Sequence, residues 1–353
     1  MSAASRGSRP DFELGGKKIA AGSSGTVEIP VANLYTHTPV HLPVRVLHGK
    51  RDGPVLWVSA ALHGDEINGV EIVRRVLRHT SMKRLSGTLI AVPIVNTLAF
   101  LHQSRYLPDR RDLNRSFPGS ERGSLAARLA HKFLQEVVGR SDYGIDLHTG
   151  AVHRGNLPQI RANLENPVTT RLAKAFGAPL LLNSPPTDGT LRAYTTSHGI
   201  PVLLYEASEA LRFDEVCIRI GVRGVIRVMR ELQMLPEARA GKATPEPVIA
   251  RSSSWVRAGA SGILRAQVNL GDRVRKDQPL GVIGDPFGEH ESIVTATESG
   301  VVIGRLNLPL VHEGDALFHV ARVEKPGVAA QTVETVQTQT ADWNPPDNEP
   351  PIV

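Results

Sequence analysis

The sequence predicts an α/β protein: a doubly wound, mixed sheet followed by a smaller all-β region at the C-terminal end. Three observations carry this expectation. Short apolar runs such as Val55–Ala60, Thr88–Val95 and Pro201–Tyr205 have the length and continuity of strands buried on both faces. The segments between them carry apolar residues at helical spacing, and alternation of the two is the mark of helices wound on a parallel sheet. Beyond about Ser252 the short β segments follow one another across Gly turns with no space for helices.

Composition narrows the function classes. With 353 residues, 41% of them hydrophobic and 22% charged, the chain suits a folded protein with one large domain and a smaller one. No apolar run reaches the roughly 20 residues that span a bilayer. Met1–Gly7 has no apolar stretch behind its charge, so a cytoplasmic protein is expected. The single Cys217 excludes a disulfide within the chain and reads as a small buried apolar residue. The net charge of +6 comes from scattered arginines, and only 5% of residues are aromatic. That pattern offers no nucleic-acid platform and fits attraction of a small anionic substrate.

In order, residues 1–10 are expected to be disordered. Gly25–Val31 and Val40–Val46 alternate like half-buried strands and precede the first buried run, which makes them antiparallel edge strands. Arg51–Pro54 turns into the strand Val55–Ala60. Gly69–Leu77 is an amphipathic helix with Val70, Val73 and Leu77 inward and its arginines elsewhere. A long loop from Arg105 to Gly119 follows the next strand, and then a helix over Ser124–Val138 with Ser124 as its cap. Tyr143–Ile145 is a strand, Pro167–Phe176 a helix, Leu180–Asn183 a strand, Leu191–Ser197 a helix, and Asp214–Leu235 a long helix. The catalytic domain is thus expected over 11–245, with a Pro/Ala-rich linker at Pro236–Pro247. The β region spans 250–323 and a disordered tail 325–353.

The chemistry concentrates at strand ends. His63 and Glu66 are three apart just beyond the first central strand, and His148 ends another. Strand ends of an open α/β sheet face one crevice, and two imidazoles with a carboxylate around an open position form a catalytic zinc arrangement. Asp146, two residues before His148, is placed to accept that ligand's second N–H; its alternative role is a turn cap. Glu206 ends an apolar strand, where a carboxylate needs a task or a partner. It reads as the proton shuttle, or else as a structural carboxylate paired with an arginine. The loop gathers Arg105, Arg110, Arg111 and Arg115 with Asn114; guanidinium forks suit a substrate carboxylate, and the alternative is a solvated loop surface.

Four stretches in order, His63–Gly69, Asp112–Gly119, Asp146–Thr149 and Tyr205-Glu206, resemble the succinylglutamate desuccinylase/aspartoacylase family, within the wider zinc carboxypeptidase fold. The resemblance runs from about residue 11 to 323. It implies Zn2+ held by His63, Glu66 and His148, with Glu206 as general base and acid. It also implies that Arg105 polarises the scissile carbonyl and that Asn114-Arg115 binds a carboxylate. The interval from Arg105 to Asn114 is slightly longer than in aspartoacylase, so Arg110 and Arg111 are further candidates. Arg192 is a candidate second substrate arginine. The β region resembles the biotinyl/lipoyl-like domain that ends such enzymes. Its Gly284–His290 turn lacks the lysine of a carrier, so shaping the pocket entrance is the expected role.

The expected activity is therefore zinc-dependent hydrolysis of a small N-acyl amino acid. A carboxypeptidase acting on short peptides and a non-catalytic binding module are the alternatives. The partner is a small molecule carrying a carboxylate, with no nucleic acid and no membrane. Homo-oligomerisation, the acyl group and the amino acid are left open. His131, His198 and His319 are taken as structural or surface residues.

Overall fold

Twelve strands hydrogen-bond into one mixed sheet in the computed structural model, which describes residues 9–237, 245–324 and 326–341. The chain opens with a small hairpin, β1 (Phe12–Leu14) and β2 (Lys17–Ile19). β3 (Ser23–Asn33) and β4 (Pro39–His48) then pair antiparallel as the expected edge strands. Val40, Leu42, Val44 and Val46 of β4 all face inward, as a period of two requires. β5 (Arg51–Ala60), α1 (Asn68–Arg78), β6 (Ser86–Val92), α2 (Thr97–Leu101) and α3 (Leu125–Glu136) follow. Ser124 Oγ accepts from the Ala127 amide and caps α3. Next come β7 (Tyr143–His148), β8 (Arg154–Ala162), α4 (Pro167–Phe176), β9 (Leu180–Asn183), α5 (Leu191–Ser197), β10 (Val202–Ser208) and α6 (Glu215–Glu231).

The parallel core consists of β6, β5, β7 and β10, flanked by the antiparallel β8. β5 shows why helices cover both faces. Leu56, Val58 and Ala60 pack with Ile72, Phe176 and Met229 under α1, α4 and α6, while Trp57 points to the other side among Phe133, Leu42 and Ile90. Arg75, expected outside, is buried instead: it donates to Glu71 and, by two bonds of 2.8 Å, to Glu215, which ties α1 to α6.

The C-terminal β region is joined to this sheet rather than set apart from it. β11 (Val248–Arg257) runs parallel to β9, and β18 (Ala316–Val323), β16 (Gly300–Leu306) and β13 (Arg273–Val274) continue the order outward. β16 also pairs with β8 through Gly304 and Asn156. The remaining strands, β12 (Gly262–Ala266), β14 (Pro279–Gly284), β15 (Glu291–Thr295) and β17 (Leu310–Val311), form a separate four-stranded sheet. The two sheets enclose an apolar core around Val256, Leu280 and Phe318, so the region keeps its expected all-β character.

Two expectations about the ends are corrected. Residues 326–341, expected to be disordered, form α7 (Pro326–Ala341), and Ala329, Val333 and Val336 at helical spacing are buried. Ala329 and Val333 cover Val301, Ile303 and Ala321 of the extended sheet. At the other end Arg9 donates to the carbonyls of Gly49 and Gly87, so order begins before residue 11. Residues 1–8, most of the linker (238–244) and 342–353 lie outside the described residues. No helix among the described residues is long and apolar enough to cross a membrane.

If α7 bears on the sheet, Val333→Asp places an unpaired charge in an apolar contact and should lower stability by roughly 3 kcal/mol. The exposed neighbour Glu334→Gln should leave the urea midpoint where it was. Equal midpoints for the two variants would show that the helix contributes nothing.

Candidate metal centre

At the end of β5 the chain must turn sharply to aim His63 and Glu66 back over the strand ends. Ala61 adopts φ 48°, a left-handed conformation that a residue with a Cβ takes only when its surroundings hold it. Amides of Val95 and Asn96 donate to the carbonyls of Ala60 and Ala61, and Asn96 Nδ2 donates to Leu62. Gly64 allows the turn to sit against α2, where a Cβ would come within 2.0 Å of the Ala99 carbonyl carbon. β7 lies beside β5 and carries His148 to the same edge, and β10 pairs His148 directly with Glu206.

The result is a buried cluster in which one ligand atom each from His63, Glu66 and His148 lies within 4.8 Å of the others. His63 Nδ1 is 2.6 Å from Glu66 Oε1, and His148 Nδ1 is 2.8 Å from Oε2. The far nitrogens are held as well. His148 Nε2 is 2.7 Å from Asp146 Oδ2, whose other oxygen accepts from Ser59, and His63 Nε2 is 3.1 Å from Asp112 Oδ1. Burial works against the charge of Glu66, yet the two imidazoles outweigh it and hold the carboxyl well below its usual range. Burial likewise opposes charge on both rings, and the facing carboxylates raise them: Asp146 and Glu66 act on His148, Glu66 and Asp112 on His63.

This donor set fits a divalent cation. Two nitrogens and a carboxylate converge on one point, and each ring has a carboxylate on its outer nitrogen, the partner that fixes the tautomer of a metal-ligating histidine. Asp146 thus lies against the outer nitrogen of His148, where such a partner would sit. Asp112 does the same for His63 and was not singled out from the sequence. It also accepts from Arg105 and from the Asn114 amide, so one side chain organises the whole loop.

Beside the cluster opens a cavity of about 470 Å³, a volume suited to a small molecule. Arg105, Asn114, Arg115, Arg192 and Glu206 line it, as expected. Arg105 Nη1 lies 3.6 Å from Glu66 and its Nη2 2.9 Å from Asp112. Asn114 Oδ1 accepts from the Leu191 amide and anchors α5. Arg192 donates to the Ser184 carbonyl, and burial with nearby Arg161 lowers it to about 10. Glu206 faces the cavity and has the arginine partner that the sequence offered as an alternative: it lies 2.7 Å from Arg161, and Asn156 donates to it at 2.8 Å. Arg111 is the correction. Its side chain is 62% exposed, lies 3.9 Å from Asp109 and is not among the residues that line the cavity. Asn156, Arg161 and Arg154 were missed with their strand, β8, and so was Trp255 of β11.

A model of the succinylglutamate desuccinylase/aspartoacylase catalytic domain matches residues 52–232, which holds every cluster residue. The chain belongs to the succinylglutamate desuccinylase/aspartoacylase family. It is similar to an N-alpha-acetyl-L-2,4-diaminobutyric acid deacetylase from Halomonas elongata, 26% identical over 331 residues that cover 89% of this chain and 94% of that one. A crystal structure of a family member from Rhodobacter sphaeroides, also 26% identical, superposes with TM-score 0.76 over 86% of this chain and 95% of that chain. The product-bound ectoine utilization protein EutE (DoeB) from Ruegeria pomeroyi, at 24% identity, shares the fold with TM-score 0.76 over 84% and 94%. In all three, coverage runs past the catalytic part, so the C-terminal strands belong to the shared architecture.

If Asp112 and Asp146 hold the rings for a cation, Asp112→Asn and Asp146→Asn should each weaken zinc binding by about 10- to 100-fold, as read by calorimetric titration. Unchanged affinity in both variants would mean that the rings need no such support.

Proposed function

We propose that this family member hydrolyses the amide bond of a small N-acyl amino acid, with zinc held by His63, Glu66 and His148. One observation carries the reading: the metal-ligating cluster, a carboxylate on the adjacent strand and several guanidinium groups line a single small cavity. Bound zinc would supply Lewis-acid polarisation of the acyl carbonyl and ease deprotonation of the attacking water.

The chain's own groups do the rest. Arg115 and Arg192 take the substrate carboxylate, and Asn114 holds the α5 start that carries Arg192. Arg105, fixed by Asp112 at the edge of the cluster, faces the charge that develops on the carbonyl oxygen. Glu206 accepts a proton as water adds to the carbonyl carbon and returns it to the nitrogen as the C–N bond breaks. Asn156 and Arg161 fix where its two oxygens sit. The zinc carboxypeptidase type of the sheet and the biotinyl/lipoyl likeness of the C-terminal strands belong to the same proposal, as does a cytoplasmic site of action. Trp255 is the C-terminal region's contribution to the cavity wall.

Glu206→Gln should keep one equivalent of zinc and lower kcat about 100- to 10,000-fold against N-acyl amino acids, with short peptides as a parallel arm. Full turnover in that variant sinks the assigned mechanism. His63→Ala should lose both zinc and activity; unchanged zinc by elemental analysis would overturn the ligand set.

A further inference from the structure

A second cavity, about 670 Å³, opens at the opposite edge of the sheet and shares no lining residue with the one beside the metal cluster. β5 lies between the two: Arg51 begins it at this cavity, and His63 follows its far end. Ten residues of strand put roughly 30 Å between them. The proposed hydrolysis gives this space no task.

The charge on its walls has one sign. Lys50, Arg51, Lys83 and Arg84 line it, with no aspartate or glutamate. Among the described residues none of the four meets a carboxylate; Arg51 Nη2 donates instead to the Arg84 carbonyl at 3.1 Å. The nearest acid in sequence, Asp52, is taken up by Arg9 at 3.3 Å. Elsewhere the chain neutralises its arginines by local pairs, Glu71 with Arg74 on α1 and Glu215 with Arg219 on α6. An ordinary solvated face is interleaved in that way, and this one is not.

The walls are also held in place. Gly49 brings the end of β4 against the start of β6: its amide donates to the Gly87 carbonyl at 2.9 Å, and a Cβ there would come within 2.3 Å of the Leu85 carbonyl oxygen. Arg9 ties the carbonyls of Gly49 and Gly87 together. Gly22 takes φ 80°, and the Lys50 stem lies across it, 2.5 Å from where a Cβ would be. Lys83 and Arg84 close the short 3₁₀ helix Thr80–Arg84, whose buried Met82 joins Leu85 and Leu47 as an apolar wall beside the cations. Ser24 Oγ accepts from Arg45 at 2.7 Å, which leaves the hydroxyl proton to donate into the cavity.

We infer that this cavity is a binding site for a small polyphosphate-bearing molecule of the nucleoside triphosphate class. Four unneutralised cations around one space call for several negative charges on one ligand, and a lone carboxylate brings one. Guanidinium forks and ammonium point charges both bind phosphate oxygens. The apolar wall is left for the face of a base, and the volume is that of a small-molecule site. The site stands apart from the hydrolase reading and does not depend on it.

Titration calorimetry on the full-length, zinc-loaded protein tests this, with ATP and tripolyphosphate as probes and Mg2+ in excess so that the phosphates do not strip the zinc. One equivalent of ATP should bind, more tightly than tripolyphosphate. Lys83→Ala combined with Arg84→Gln should weaken ATP about tenfold or more. Both side chains are exposed, and thermal melts establish that the variant is folded. Its kcat/KM toward N-acyl amino acids should be unchanged, and Arg115→Gln in the substrate cavity should leave ATP affinity as it was. No heat with ATP, an affinity that survives the double variant, or one lost with Arg115→Gln overturns the inference. Tripolyphosphate binding as tightly as ATP overturns the nucleoside assignment. Single-stranded RNA that displaces ATP with affinity rising with its length marks a nucleic-acid face and overturns the small-molecule site. ATP binding that depends on Lys83 and Arg84 in a protein that hydrolyses no amide leaves the site standing and removes the hydrolase reading.

Discussion

The buried Glu66 carboxylate, caught between the imidazoles of His63 and His148, is the constraint on which this structure turns. A buried carboxylate is tolerable only where partners compensate its lost hydration. Here each oxygen faces a ring, and the Thr149 amide adds a third contact. The rings would themselves be costly without Asp112 and Asp146 behind them, and Asp146 needs Ser59 for its second oxygen. The polar chain ends only at the strands themselves. That is why β5 and β7 have to be neighbours, and why the turn at Ala61 is held in a conformation it would not choose.

The same dependence explains how the C-terminal region enters the site. β9 accepts β11 as a parallel neighbour, and β8 pairs along its length with β10, β9 and the far strand β16. An independent module could shift against the catalytic sheet. A region hydrogen-bonded into that sheet cannot move without breaking a ladder, so Trp255 has a fixed place relative to Asn156 and Glu206. Burial of α7 across β16 and β18 covers the far face of this junction.

What the sequence disclosed and what it concealed divide along physical lines. The clustering of His63, Glu66 and His148 was legible because apolar runs announce buried strands and functional groups sit just past them. β8 was not: Pro158, Asn156, Gln159 and Arg161 interrupt any strand pattern, and Asn156 and Arg161 among them line the cavity. Local rules fail where a strand is spent on function. α7 was hidden for another reason. Its Val and Thr residues have indifferent helix propensity and its faces little polarity contrast, so its order comes from the sheet it covers. Arg111 was over-read because a loop has no period from which to infer direction.

The pairing of Glu206 with Arg161 bears on the proposed chemistry more than it first suggests. A structural ion pair and a proton shuttle look like rival roles for one carboxylate. Both require the side chain to be held at a defined place, and Asn156 and Arg161 supply that from one strand. Arg161 also crowds Arg192, which burial has already made a weaker base. Two cations pressed together beside one acid leave the cavity short of negative charge. In the proposed reaction a substrate carboxylate taken by Arg115 and Arg192 would relieve that repulsion while Glu206 stays in register with His148. On that reading the energy of binding is coupled to alignment of the reacting groups, because Arg161, which crowds Arg192, also holds Glu206.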